Sequence, residues 1–211
     1  MASIEEMHQD LQRSVERIVG YSRLVSDLSA GRELRPSKVL APLADTIKTS
    51  AEYLEPEGRK NHVALRYEIQ TDAPPLYHDE LYLFRIVQNL VGNAIKAVKE
   101  TIPDEWAARY QPDDDAVMGE VTIRYHYTNG QHVIEVSDSG PGMSKETADR
   151  ILAGNARSQW DKTTGSGWGT RIVLELASTH NALVSIDSEP GKGSTFRVAF
   201  PHVDVAKVAS A

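Results

Sequence analysis

Three groups of residues in this 211-residue chain have the types and spacing to handle a nucleotide. Asn89, Asn93 and Lys96 stand at i, i+4 and i+7, so a helix through them presents one polar stripe. An asparagine carbonyl is a neutral, hard oxygen suited to a Mg²⁺ that already shares phosphate oxygens, and the lysine can reach a phosphate. The second group, Asp138-Ser139-Gly140-Pro141-Gly142, follows directly on the apolar run from His132 to Val136. A carboxylate at a strand end can accept a hydrogen bond from an exocyclic amine such as adenine N6, and glycines let backbone approach a flat ring. The third, Thr164-Gly165-Ser166-Gly167-Trp168-Gly169-Thr170, runs straight into a helical apolar pattern. Its glycines expose successive N–H groups beside a helix N-terminus, which makes a phosphate cradle. Each group alone has a plainer reading: a solvated helix face, a common turn, a flexible linker.

The elements around these groups follow from periodicity. Apolar residues recur at helical spacing from Ile4 to Leu28, which predicts one long amphipathic helix ending at Gly31. Pro36 marks a break, after which Val39, Leu40, Leu43, Ile47, Ala51 and Leu54 predict a second helix that ends near Pro56. His62 to Ile69 alternates as a strand, and Asp72 to Leu76 reads as a turn that cannot pair in a ladder. Asp79 can cap a helix to about Lys99, with Leu83, Ile86, Val87, Leu90, Ala94 and Ala97 on one face. A Pro-bounded polar segment at 102–119 reads as one short helix and an acidic loop. Strands from Glu120 to Tyr127 and from Gln131 to Asp138 flank Asn129-Gly130, a hairpin signal. A short helix begins near Ser144 and fades around Ala153, and another, from Thr170 to His180, turns Ile172, Val173, Leu176 and Ala177 inward. Two more strands border the turn Pro190-Gly191-Lys192-Gly193-Ser194. Local antiparallel pairs interleaved with helices predict an α+β two-layer sandwich.

Composition narrows the function classes. An apolar fraction of 40% with 25% charged residues is globular, and 23 basic against 30 acidic residues give a net charge of −7. That balance gives no general attraction to nucleic acid or anionic lipid, so phosphate binding must be local. There are no cysteines, hence no disulfides, thiolate metal sites or thiol nucleophile, and a cytoplasmic location is compatible. Neither a membrane span nor a secretion signal is evident, and the histidines show no metal spacing.

In this order and spacing, the asparagine stripe, the DSGPG loop, the GSGWG loop and the closing PGKGSTFRVAFP resemble the N box, the two glycine boxes and the final strand of histidine-kinase ATPase domains, over about residues 36 to 201. The resemblance implies the Bergerat fold, a mixed, mostly antiparallel sheet with helices on one face, here preceded by the long N-terminal helix. It implies ATP and Mg²⁺ as cofactors, with Asn93 as metal ligand, Lys96 as phosphate contact and Asp138 as adenine reader. Thr195 would support adenine through water, while Gly140, Gly142, Gly165, Gly167 and Gly169 shape the pocket. Residues 153–164 would be a lid from which Lys162 or Arg157 neutralises γ-phosphate charge. Hydrolysing members place a glutamate general base where this chain has Asn89, and an amide takes no proton, so transfer to a positioned nucleophile is favoured. Ala97 stands where the family often has an aromatic, and 100–119 is a long insertion.

The expected organisation is 1–35 as the remnant of a dimerisation and phosphotransfer hairpin, 36–203 as the catalytic domain and 204–211 as a flexible tail. His8 is the histidine on the N-terminal helix and thus the phosphoacceptor candidate, but the first-helix pattern puts Gln9 in that place; Arg23 to Ser37 resembles the end of the second hairpin helix, and this favoured alignment implies a phosphoacceptor histidine outside this chain. The function implied is a sensor histidine kinase that dimerises through the N-terminal helix, phosphorylates a histidine and passes the group to a response-regulator receiver domain. A degenerate, non-catalytic binding module and an anti-sigma-type serine kinase are the alternatives, and the hairpin remnant disfavours the second.

Overall fold

The structure, a computed structural model, describes residues 15, 19–22, 24, 26–27, 29–107, 117–154 and 168–202. Its contacts divide the chain into two compact units, Met1–Ser37 and Lys38–Ala211. In the first unit the described residues from 15 to 29 have helical backbone. That helix ends as its sequence implied. Gly31 adopts φ +63°, and the Arg32 N–H returns to the Asp27 carbonyl at 2.9 Å, closing a glycine C-cap. The remainder of the expected long helix lies outside the described residues.

The second unit is built on a mixed sheet of β2 (Val63–Ile69), β4 (Gly119–Thr128), β5 (Gln131–Asp138), β7 (Ser194–Pro201) and β6 (Leu183–Ser188), in that spatial order. Only β2 and β4 run parallel; the other pairs are antiparallel. The β4–β5 hairpin turns at Asn129 (φ 49°) and Gly130 (φ 72°), the positive-φ pair that matches the twist of its strands. The sheet's far face is polar. There Arg124 joins Glu68 at 2.6 Å and Glu135 at 3.2 Å, so charges stand in a row across three strands.

The other face is covered by helices. Asp79 caps α3 (Glu80–Lys99) by accepting the Tyr82 N–H at 3.0 Å. Ile86, Val87, Val91, Ile95 and Val98 on that helix are fully enclosed. Burying each such side chain contributes ~1.5–3 kcal/mol, so the apolar period of α3 fixes which stripe is left for a site. Flanking it are α1 (Ala44–Glu52) and α6 (Trp168–Ser178), and Ile47 and Leu176 are buried with its apolar face. Lys38 donates to the Thr179 carbonyl at 2.7 Å, just past the end of α6. The remaining helices are α2 (Glu55–Lys60), α4 (Asp104–Ala107) and α5 (Lys145–Leu152), the last capped by Ser144. The architecture is the expected two-layer α+β sandwich.

Two expectations are corrected. Val39 and Leu40 are not helical: β1 (Val39–Ala41) pairs antiparallel with β3 (Leu76–His78), and α1 starts only at Ala44. Pro42 explains this, because it forces Ala41 out of the helical region. The segment expected to be an unpaired turn gives up Leu76 to that ladder, since Pro74 and Pro75 stop one residue short of it. In addition, the stretch around Pro56 forms the short helix α2, with proline in the first turn where its missing N–H costs nothing.

Candidate functional site

The polar stripe of α3 is where two of the loops arrive. Asn89 is half-buried and donates its side-chain N–H to the Arg85 carbonyl at 2.7 Å, which fixes its amide on the helix. Its oxygen faces Gly169, where a Cβ would stand 3.0 Å from Asn89 Oδ1 and 3.4 Å from Asn93 Oδ1. Asn93, also half-buried, donates from Nδ2 to Thr170 Oγ1 at 3.4 Å. The N-terminal turn of α6 is therefore seated on the two asparagines. Lys96 follows one turn later and is exposed.

The Asp138 loop meets the same helix further along. A Cβ on Gly140 would lie 3.0 Å from Ala97 Cβ and 2.7 Å from Asp138 Oδ1, so only a glycine lets the loop sit this close to α3. The Gly140 N–H donates to Asp138 Oδ1 at 2.8 Å. Burial pushes the Asp138 carboxyl above the usual aspartate range, while the N–H groups of Gly140 and Ser194 pull it back. Such a carboxylate is short of water and ready to accept from an amine. Gly142 adopts φ +63° and packs on the Glu189 carbonyl.

Among the described candidates, Thr195 is the one that the strand pleat turns away. Its Cα partner is Ser137, whose hydroxyl it meets at 2.9 Å, whereas Asp138 pairs with Ser194. Cross-strand partners share a face and neighbours alternate, so Thr195 projects opposite to Asp138. Ser194, which is buried, is the residue beside that carboxylate. It went unread in the sequence because a serine after a glycine turn looks like a solvated turn residue. Gly165, Gly167, Arg157, Lys162 and His8 lie outside the described residues. Thus Asn89, Asn93, Gly169, Asp138 and Gly140 are gathered along one side of α3.

The sequence profile of the histidine kinase-, DNA gyrase B-, and HSP90-like ATPases matches residues 78–204. The chain belongs to this ATPase family. Among its relatives is the adaptive-response sensory kinase SasA of Synechocystis sp., 27% identical over 161 residues, 75% of this chain and 38% of that protein. The fold of the family recurs in full-length ShkA solved with AMPPNP, at TM-score 0.65 and 20% identity over 96% of this chain and 40% of that one. It recurs also in histidine kinase ThkA solved in complex with the response regulator protein TrrA, at TM-score 0.61 and 16% identity, covering 96% and 53% of the respective chains. The chain spans under half the length of the curated relatives it matches. No helix among the described residues is long and apolar enough to cross a membrane.

Proposed function

We propose that this chain is the ATP-binding catalytic part of a cytoplasmic sensor histidine kinase, and that residues 36–203 carry the nucleotide site. One observation supports this most directly: Gly169 rests on Asn89 and Asn93 while Gly140 rests on Ala97, so loops far apart in sequence line one helix. Asp138 accepts from the adenine amine. Asn93, its nitrogen turned to Thr170, offers its oxygen to Mg²⁺, and Lys96 meets the phosphates from the exposed end of the stripe. When bound, the metal neutralises charge on the phosphate oxygens. Lys162 or Arg157 adds positive charge at the γ-phosphate.

Asn89 decides between transfer and hydrolysis. Its amide nitrogen donates to the Arg85 carbonyl, and an amide oxygen does not accept a proton at neutral pH. Water attack is therefore unassisted, and the phosphoryl group awaits a positioned histidine. That histidine is on a dimerisation hairpin of which 1–35 is a remnant, with His8 the candidate in this chain, and a response-regulator receiver domain takes the group next. The relative SasA is a sensory kinase and ThkA is a histidine kinase solved with a response regulator, which supports this over a serine acceptor.

Titration with a fluorescent ATP analogue, with and without Mg²⁺, tests the site. Asn93→Ala should abolish the metal-dependent part of the affinity and Asp138→Ala most of the whole; wild-type affinity in both variants would refute the assignment. Supplying a separate histidine-bearing hairpin and assaying acid-labile, base-stable phosphate tests the transfer.

A further inference from the structure

The turn between β6 and β7 is tied to the Asp138 loop through one hydroxyl. Ser188 ends β6 and pairs with Ser194, which pairs in turn with Asp138. The three side chains therefore form a row across the sheet on one face. Ser188 has a single hydroxyl proton, which it donates to the Gly193 carbonyl at 2.9 Å. Its oxygen accepts the Met143 N–H at 2.9 Å and lies 3.0 Å from Ser194 Oγ, so Ser194 supplies the proton in that contact. A second tie runs alongside, from the Gly191 N–H to the Pro141 carbonyl at 2.7 Å.

The Asp138 carboxylate spans the same joint. It accepts the Gly140 N–H in the loop, and Asp138 pairs across the ladder with Ser194 on the far side, so a slip between loop and turn would rotate it. We propose that Ser188 is a positioning residue for the adenine-reading carboxylate, acting by holding Met143 and Gly193 to one hydroxyl. This rests on the nucleotide site set out above. It deepens that reading by assigning base selectivity to a residue that touches no nucleotide. A serine that merely steadied the turn would lower the affinity for every phosphate ligand alike; a positioning residue lowers it only for ligands with the base.

The test uses the full chain as wild type, Ser188→Ala, Ser188→Thr and Asp138→Asn. ATP and inorganic tripolyphosphate, which has no base, compete against a fluorescent ATP analogue with Mg²⁺ present. Losing the joint leaves buried partners unpaired, so Ser188→Ala should weaken ATP by about tenfold and tripolyphosphate by no more than about twofold. Ser188→Thr, which keeps the hydroxyl, should recover most of the ATP affinity. Equal losses for both ligands would overturn the proposal, as would wild-type ATP affinity in Ser188→Ala while Asp138→Asn is impaired; in the latter case the nucleotide site itself stands. If Asp138→Asn binds ATP as wild type does, the site reading falls and the joint with it. Should Ser188→Ala not fold, Ser188→Cys, similar in shape but a weak donor, is read by the same criteria.

Discussion

The backbone carbonyl of Asp138 occupies the space a side chain on Gly193 would need: a Cβ there would stand 1.9 Å from that oxygen. Gly193 also holds φ +88°, which side-chain-bearing residues rarely adopt. Gly193→Ala is therefore strained twice over and should lose ~2 kcal/mol or more, seen as a lower urea midpoint with an unchanged slope. A midpoint equal to wild type would show that the turn yields freely.

Gly169 poses a different contest. Alanine is the better helix former by ~1 kcal/mol, but its Cβ would press on the Asn89 amide at 3.0 Å and approach Asn93. Since Asn89 is anchored to Arg85, the side chain cannot swing clear without breaking a bond. Gly169→Ala should keep its melting temperature within a few degrees while its Mg-dependent ATP affinity falls by about fivefold or more, as expected for ~1 kcal/mol of displacement. Unchanged affinity would mean that the first turn of α6 does not border the phosphates.

How far the molecule was legible varies with the range of the forces involved. The α3 helix announces itself because its cap at Asp79 and its apolar period lie within the helix itself, and Asn129-Gly130 sets the hairpin by local backbone preference alone. The β1–β3 ladder is three residues long and joins segments more than thirty residues apart, so neither strand has a pattern that separates it from a helix or a turn. The proposed site was readable only as residue types: Asn93 and Asp138 are groups with few uses in half-buried positions. Orientation was not. Whether Ser194 or Thr195 faces Asp138 turns on a one-residue register, which is set by the pairing of β5 with β7 and not by either strand's own sequence.

Asn89→Glu places a carboxylate where the amide now sits. If the site is built for transfer only because it lacks a base, acceptor-free phosphate release should rise by about tenfold or more, a fraction of what a fully aligned base supplies. The readout is steady-state phosphate release without a hairpin substrate, with transfer to a separate hairpin measured in parallel. An unchanged rate, with ATP still bound, would assign the slow hydrolysis to some feature other than Asn89.

Acid should weaken the fold through His132. This side chain is fully buried, with Nδ1 2.9 Å from the Tyr125 hydroxyl and Nε2 3.2 Å from His202 Nδ1, and the Tyr127 ring packs 4.7 Å away. Burial, followed by the nearby His202 and His78, pushes its pKa down to about 4 from the ordinary 6.5. Between those values the unfolded chain holds a proton that the folded one refuses, so the unfolded state binds more protons and stability rises with pH. The contribution is complete above pH 6.5 and is lost as pH falls toward 4, by up to ~3 kcal/mol. His180, also pushed down by burial, acts in the same direction. His132→Gln removes the titration, so its unfolding free energy should fall less steeply than wild type between pH 7 and pH 4.5, whatever its level at pH 7. Carboxylates titrate alike in both proteins and cancel in the difference; parallel urea-derived slopes would show that His132 is protonated in the folded state without penalty.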